Sequence, residues 1–238
     1  MRALVAVNAA TDPLGLLEAP LRAAGIELVL WDAQGERPPA RIEEFCAVVA
    51  LGGATHPDED GAHPWLRAER DLLRAAVDAT LPVLGVCLGA ELLAQVLGAR
   101  THRLPAPRIG WYPLRAAPTA TGDPLAPAWG WLGDVMEWHA YAFELPAGAV
   151  LLAGAPAAVQ AFRWGRAAWG VQYHLEADAA LVAAWLDACA DELREAGVDA
   201  GAIAAATERV AARAALHGAG IGAAFASLVA AREREIAA

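Results

Sequence analysis

The sequence predicts a three-layer α/β fold, in which helices cover both faces of a mostly parallel sheet that also carries added antiparallel strands. The first observation is a βαβ opening: residues 2–8 are an apolar run, residues 14–25 are a helical pattern ended by glycine, and residues 26–32 are a second apolar run. The second observation is that these runs are apolar throughout. Such strands, alternating with helices, are typical of a parallel sheet that is covered on both sides.

The elements that follow extend this pattern and then change it. Residues 45–53 predict a third strand that stops at a glycine pair, residues 64–80 an amphipathic helix, and residues 81–86 a fourth strand. From Trp111 to Val171 the runs are shorter and are broken by proline and glycine. These shorter runs predict the added antiparallel strands.

The C-terminal part is rich in alanine and predicts helices. Residues 180–197 form one helical pattern, and the tail beyond it predicts two more helices. We therefore expect a main domain over residues 1–197 and a C-terminal helical extension over residues 198–238. Because alanine-rich helices need an apolar partner to persist in water, we expect the extension to pack its larger apolar residues onto a surface. These residues are Leu216, Ile221, Phe225 and Leu228.

Composition and charge exclude several classes of function. The chain has 238 residues and a formal net charge of −10. Because it has no basic block to displace the counterions of a nucleic acid, we do not expect nucleic-acid binding. The most apolar window, residues 81–99, contains Glu91 and Gln95, so we expect no membrane span. Without a visible export signal, we expect a cytoplasmic location.

The residue types that are missing restrict the chemistry. Every basic residue is arginine, and the single serine is Ser227, in the tail. A chain without lysine has no Walker-type phosphate loop and no Schiff-base anchor, and a chain without a serine in its main body has no serine triad there. Three widely spaced cysteines, Cys46, Cys87 and Cys189, favour reduced thiols over a disulfide framework. Cysteine is therefore the leading candidate for a nucleophile.

Cys87 stands between an apolar strand and a helical pattern in the sequence "LGVCLGAE". G-x-C-x-G at a strand-to-helix junction is the cysteine counterpart of the nucleophile elbow. The glycines allow close backbone approach, and the helix N-terminus favours the thiolate and places the N–H of Leu88 toward a developing oxyanion. On spacing alone, a buried core cysteine in an ordinary turn explains the motif equally well.

A second pair of candidates ends a later strand. His174 and Glu176, in "GVQYHLE", are two residues apart and share one face of an extended chain. In this arrangement a carboxylate can orient an imidazole that acts as general base toward a third group, here Cys87. A lone strand-end histidine beside a solvated glutamate is the alternative, and the strand–Cys–helix junction upstream favours the functional interpretation.

The order of these motifs resembles that of class I glutamine amidotransferase domains, of the standalone type similar to the amidotransferase part of GMP synthase. "VVALGGA" resembles the oxyanion strand, "PVLGVCLGAELLAQVLGA" the nucleophile elbow, "EWHAYAFELPAGAVLLA" the glutamine-facing loop, and "GVQYHLE" the end of the triad. The resemblance covers about the first 195 residues. It implies the flavodoxin-like sheet of that family.

The resemblance also implies roles for individual residues. Cys87 corresponds to the nucleophile, His174 to the base and Glu176 to the orienting carboxylate. The N–H groups of Gly53 and Leu88 correspond to the oxyanion donors. The backbone at Ala140 and Tyr141 corresponds to the loop that holds the amino-acid end of glutamine.

Three positions depart from the family pattern, and one of them bears on the chemistry. The family usually has proline where this chain has Ala54, often proline where it has Leu175, and glutamine where it has Glu91. Glu91 lies four residues after Cys87 and therefore shares its helix face, where a carboxylate opposes thiolate formation or contacts the substrate α-amino group. A drifted surface residue is the remaining interpretation of Glu91.

The implied activity is hydrolysis of the glutamine side-chain amide, with ammonia passing to an acceptor. The sequence has no ATP-binding signature that could activate this acceptor. The resemblance therefore implies either a separate synthetase partner subunit or a purely hydrolytic role. A γ-glutamyl hydrolase acting on γ-glutamyl amines or peptides is one alternative, and an inactive regulatory module is another. We expect no metal and no cofactor, since "HPDEDGAH" (56–63) has no ligand spacing. A homo-oligomer stays open.

Overall fold

The computed structural model describes residues 1–125, 133–155 and 158–237. Nine strands lie within these ranges. They are β1 (Arg2–Val7), β2 (Glu27–Asp32), β3 (Ala47–Ala50), β4 (Val83–Val86), β5 (Thr101–Leu114), β6 (Gly133–Phe143), β7 (Val150–Ala155), β8 (Ala158–Trp164) and β9 (Ala168–Val171).

Six α-helices lie in the same described ranges, with short 3₁₀ turns at Gly15–Leu17, Ile42–Glu44 and Pro118–Ala120. The helices are α1 (Glu18–Ala23), α2 (Trp65–Asp78), α3 (Leu88–Val96), α4 (Ala179–Ala188), α5 (Ala190–Ala196) and α6 (Ala200–Ala237).

The strands form one large sheet and one separate hairpin. The large sheet has seven strands in the order β2-β1-β3-β4-β9-β8-β7, and the hairpin pairs β5 with β6. The pairs from β2 to β9 are parallel, whereas β8 pairs antiparallel with both β9 and β7. The predicted mostly parallel sheet with added antiparallel strands is confirmed. Because parallel strands share a direction, β1, β3, β4 and β9 end at one edge, where ligand sites of such folds lie.

The strand residues alternate between two apolar layers. On one face of the sheet the side chains join a cluster with α1 and the second half of α6; on the other they join a cluster with α2 and α3. Leu4 and Val48 belong to the second layer, and their neighbours Val5 and Val49 belong to the first. This alternation explains why the central strands are apolar throughout, since neither face of the sheet meets water.

The second half of the chain departs from the sequence expectation in two places. The segment at residues 168–171, expected among the antiparallel strands, is β9, which pairs antiparallel with β8 as expected but also parallel with β4 inside the large sheet. Ala140 and Tyr141, expected in a loop, lie within the long strand β6. Periodicity cannot distinguish these cases, because pairing partners are distant in sequence.

The C-terminal extension differs from the prediction of two helices. Residues Ala200–Ala237 form the single helix α6. Ile221 and Phe225 are fully buried in the sheet core and Leu228 packs against that core, as expected, but Leu216 is 76% exposed. The buried residues follow one stripe at intervals of three and four, and Leu216 lies outside that stripe.

Among the described residues, α6 is the one helix long and apolar enough to cross a membrane, by length and composition alone. Buried helices of globular folds pass the same test, and the stripe at Ile221 and Phe225 packs on the core. Length and composition are therefore weak evidence for a span.

Candidate active site

Cys87 occupies the junction between β4 and α3, at the edge where the parallel strands end. Its backbone has φ +49° and ψ −112°, a conformation that L-residues rarely adopt. The helix approaches the sheet closely, because a Cβ built on Gly89 would lie 2.2 Å from the carbonyl oxygen of Ala50. This strained junction is the geometry expected of a nucleophile elbow, and it holds the Cys87 side chain at the start of a helix.

His174 and Glu176 follow β9 and are held in one fixed arrangement. Nδ1 of His174 lies 2.7 Å from Oε1 of Glu176, and Glu176 is fully buried. The ring of Trp185 packs edge-on against the imidazole, with centroids 4.7 Å apart. The carboxylate therefore sets the orientation of the imidazole, and Trp185 limits its movement.

Cys87 and His174 come together above Gly52. A Cβ built on Gly52 would lie 3.1 Å from Cε1 of His174 and 3.5 Å from Cβ of Cys87. The imidazole of His174 lies close enough to the thiol to lower the pKa of Cys87. Both also approach the carbonyl oxygen of Trp138, which is 3.8 Å from Sγ of Cys87 and 3.4 Å from Nε2 of His174. A side chain at position 52 would therefore press on this pair.

Protonation of the pair is set by burial and by neighbouring charge. Burial raises the pKa of Cys87, and the His174 imidazolium opposes this shift. Burial acts to lower the pKa of His174, but the buried Glu176 carboxylate and Cys87 outweigh it and hold that pKa well above its usual value. His174 is thus charged when it faces the thiol, and it stabilises a thiolate that burial alone would disfavour.

Glu91 lies on the first turn of α3 and is 3% exposed, which rules out a drifted surface residue. Its Oε1 accepts a hydrogen bond of 2.9 Å from Nε2 of Gln172. Burial raises the pKa of Glu91 to about 7. The carboxyl group therefore changes charge near neutral pH, and its negative form raises the pKa of Cys87 further.

These residues line one cavity of about 520 Å³, a size within the range of about 300–1,000 Å³ that small-molecule sites occupy. The structure brings together in its wall every predicted site residue except Glu176, which lies behind His174. They are Gly53, Cys87, Leu88, Glu91, Ala140, Tyr141 and His174.

A family model described as glutamine amidotransferase class-I matches residues 16–183, more than half of the chain. The chain belongs to this family. The match includes the elbow at Cys87 and the segment at His174, and it ends within α4. The resemblance inferred from the motifs is thereby confirmed.

Individual relatives agree with this assignment. The amidotransferase chain is 33% identical over 148 residues to glutamine amidotransferase-like protein YfeJ of Salmonella typhimurium, a match that spans 60% of this chain and 61% of that protein. A glutamine amidotransferase structure from Thermotoga maritima is 27% identical, with a TM-score of 0.85 over 95% of this chain and 98% of its own. A Thermoplasma acidophilum protein described as one of the subunits of GMP synthase is 20% identical, with a TM-score of 0.65 over 100% and 97%, and shows the same fold.

Several cavity residues of this amidotransferase were not singled out from the sequence. Asp12 lies in the loop after β1 and lines the cavity beside Cys87. Burial raises its pKa, while His174 lowers it. The position of Asp12 just after a parallel strand could have identified it from the sequence, because ligand sites lie at that end of such strands. The helix α5 contributes Glu192 and Glu195, and Cys189 precedes that helix in the same wall.

The loop at residues 56–63 forms part of the cavity rim. Tyr141 donates a hydrogen bond of 2.8 Å from its hydroxyl to Oδ2 of Asp58, and its ring packs at a tilt against His56 with centroids 4.8 Å apart. Arg70 on α2 ties the loop down through Asp60 and the carbonyl of Pro57. In the described part of the chain, no cluster of three or more His, Cys, Asp or Glu side chains has a metal-site arrangement.

Proposed function

We propose that this amidotransferase hydrolyses the side-chain amide of glutamine, with Cys87 as nucleophile. The observation that carries the proposal is the strained elbow at Cys87, which shares a cavity with an imidazole oriented 2.7 Å from a buried carboxylate. In a thiol amidohydrolase, an acid orients a base and the base faces a cysteine, which is the arrangement seen here.

The reaction follows from the positions of these groups. The Cys87 thiolate attacks the amide carbon, and the carbonyl oxygen becomes an oxyanion that the N–H groups of Gly53 and Leu88 stabilise. The C–N bond then breaks as His174 gives its proton to the departing nitrogen, which leaves as ammonia. His174 next takes a proton from water, and the resulting hydroxide cleaves the thioester to glutamate and restores the thiol. Glu176 keeps the imidazole in its orientation through both steps.

The amino-acid end of glutamine is assigned to Ala140, Tyr141 and Glu91, which line the same cavity as Cys87. In this assignment the backbone of Ala140 and Tyr141 holds the substrate and Glu91 accepts its α-ammonium group. The bracing of β6 supports this role. His139 contacts the carbonyl oxygen of Tyr141 through Nδ1 at 2.7 Å and Oε2 of Glu137 through Nε2 at 3.0 Å.

The direct test measures glutamate and ammonia released from glutamine by the purified protein. A quenched reaction analysed by mass spectrometry detects the γ-glutamyl thioester on Cys87. We expect both products and the adduct, and we expect neither with Cys87→Ala. Absence of turnover and adduct with every γ-glutamyl compound tested would favour the inactive regulatory module instead.

The ammonia acceptor is proposed to belong to a synthetase partner. The fold of this chain is shared with a protein described as one of the subunits of GMP synthase, so it can serve as one component of such an assembly. A partner of this kind would raise glutamine hydrolysis when added with its own substrates. Full activity of the isolated chain would favour the purely hydrolytic role.

A second candidate function is hydrolysis of γ-glutamyl amines, and the charge of the cavity favours it. Among the described residues, four acidic side chains line the wall, against one arginine, Arg103. They are Asp12, Glu91, Glu192 and Glu195. Such a wall attracts a cationic leaving group. The discriminating measurement is kcat/KM for a γ-glutamyl diamine, whose free end is charged, against a γ-glutamyl alkylamine of equal length and against glutamine.

A further inference from the structure

The helix α6, which lies beyond the segment matched by the family model, contacts the turn that carries His174 and Glu176. Oη of Tyr173 lies 2.7 Å from Nε2 of His217, and the two rings stack with centroids 5.8 Å apart. Tyr173 is 1% exposed and His217 is 6% exposed. The residue next to the proposed base is therefore fixed by a buried polar contact with the C-terminal helix.

A second contact involves the backbone on both sides. A Cβ built on Gly218 would lie 1.9 Å from the carbonyl oxygen of Leu175, the residue between His174 and Glu176. The backbone of α6 thus touches the backbone of the turn, and only glycine permits this approach. His217 and Gly218 are neighbours, so a single turn of α6 makes both contacts.

The opposite side of the same turn is also held. The N–H of Leu16 donates a hydrogen bond of 2.9 Å to the carbonyl oxygen of Glu176, and the N–H of His174 donates one of 2.8 Å to the carbonyl oxygen of Met136. These bonds fix the ends of the turn, whereas Tyr173 and Leu175 are positioned by α6. The segment that carries the His174 imidazole is thus held on one side by α6 and on the other by Leu16 and Met136.

We propose that His217, through Tyr173 and together with Gly218, is a positioning residue that holds His174 and Glu176 in their reactive arrangement. This inference rests on the proposed function, in which His174 acts on Cys87. A small displacement of the turn moves the imidazole relative to the thiol, and errors of about 1 Å in such geometry can cost about a hundredfold in rate. The extension is therefore part of the reactive centre rather than an appended helix.

The test compares Tyr173→Phe, which keeps the ring and removes the hydroxyl, with His217→Leu, His217→Gln and the double variant Tyr173→Phe/His217→Leu. Leu216→Ala changes the exposed neighbour on the same helix and is the matched control. Gly218→Ala, which forces a Cβ toward Leu175, is matched by Gly201→Ala, whose Cβ would meet only the Asp199 side chain, at 3.2 Å. Both substitutions exchange glycine for alanine within α6.

Two measurements are made on each variant that keeps its circular dichroism spectrum. The first is kcat and KM for glutamine. The second is the pH dependence of Cys87 alkylation by iodoacetamide, which needs no substrate and reports how His174 supports the thiolate. We expect Tyr173→Phe, His217→Leu and Gly218→Ala to lower kcat by about tenfold or more at unchanged KM and to raise the pH midpoint of alkylation, since these contacts position the base and not the substrate.

His217→Gln retains a polar group for Tyr173 and should restore most of kcat. The double variant should lose no more than the single variants, because both remove one interaction. Variants with a lower Tm but wild-type kcat and alkylation profile would overturn the proposal and leave α6 a structural role. If wild type hydrolyses no substrate, the alkylation profiles still decide the positioning role, so the two failures are distinguishable.

Discussion

The side-chain amide of Gln172 donates a hydrogen bond of 2.9 Å to the carboxyl group of Glu91. Gln172 lies two residues before His174, and Glu91 lies one helical turn after Cys87, so this bond joins the two segments that carry the proposed reacting groups. It also leaves a carboxyl group inside the cavity with a pKa of about 7. After burial and the charge of His174, the charge of Glu91 is thus a further influence on the pKa of Cys87.

We predict that Glu91→Gln lowers the pH at which Cys87 is alkylated by about one unit. The carboxyl group is mostly neutral below pH 7 and negative above it, so its repulsion of the thiolate develops as the pH rises through 7. Glutamine hydrolysis should increase above that pH. The measurement is the rate of Cys87 alkylation against pH, with KM for glutamine measured alongside.

An identical titration with a higher KM would contradict this repulsion. Glu91 would then be a ligand of the substrate ammonium group, whose loss weakens binding. Glu195→Gln, which removes another carboxylate of the cavity wall, from the exposed helix α5, is the control for loss of negative charge.

We predict that Cys87→Ala removes amidase activity by several orders of magnitude while the fold persists. Alanine has the same Cβ at the strained junction, so it adds no steric conflict there. The measurement is ammonia release together with the Tm. Cys46→Ala is the control, because Cys46 lies in the core away from the cavity, whereas Cys189 lines the cavity wall. Residual turnover above about one per cent would overturn the assignment of the nucleophile.

We predict that Gly52→Ala lowers kcat by about tenfold or more with little change in Tm, since the added methyl group meets the imidazole of His174 at 3.1 Å. Steady-state kinetics and thermal unfolding are the measurements. Gly61→Ala is the matched control, because a Cβ there meets no atom within 4 Å. Equal kcat for the two variants would show that the close approach of His174 and Cys87 beside Gly52 does not matter for the reaction.

We predict that Tyr141→Phe raises KM for glutamine several-fold and leaves kcat nearly unchanged. The variant keeps the ring contact with His56 and loses the hydrogen bond to Asp58. The cavity rim next to Ala140 is then held less firmly. Asp58→Asn should have a smaller effect, because its amide oxygen still accepts the bond. Tyr112→Phe on β5, outside the cavity wall, should match wild type. A selective fall in kcat would instead place Tyr141 at the reacting atoms.

We predict that Glu69→Gln stabilises the protein at pH 8. Glu69 on α2 is fully buried, accepts a 3.1 Å hydrogen bond from Asn8, and has a pKa raised by burial to about 7. Because the unfolded carboxyl group titrates near 4.5, the folded state binds more protons between these values, and stability falls as pH rises from about 4.5 to about 7. This loss is of order 3 kcal/mol.

Glutamine at position 69 keeps the acceptor for Asn8 and does not titrate, so the variant should lack this decline. The measurement is the free energy of unfolding in urea at pH 5 and pH 8. Glu43→Gln changes an exposed glutamate and is the control. The prediction would be contradicted if the free energy of unfolding of the wild type rose from pH 5 to pH 8 and that of Glu69→Gln changed in the same way.

The local motifs determined much of this protein. The apolar runs alternating with helices predicted the parallel strands, because strands buried on both faces carry no polar alternation. The G-x-C-x-G junction predicted the elbow at Cys87, since a sharp turn and close helix approach require particular residues at fixed spacing. The spacing of His174 and Glu176 predicted their contact, which the structure makes in a turn after β9 and not in an extended segment. Each of these inferences depends on residues near one another in the chain.

Tertiary structure alone decided the contacts between distant segments. It placed β9 beside β4, put Gln172 on Glu91, brought Asp12 and α5 into the cavity wall, and laid His217 and Gly218 against the turn at His174. It also made the tail one helix with Leu216 exposed. The physical reason is that burial, hydrogen-bond partners and pKa shifts depend on which surfaces meet in space, and a single sequence shows periodicity along the chain but not that pairing.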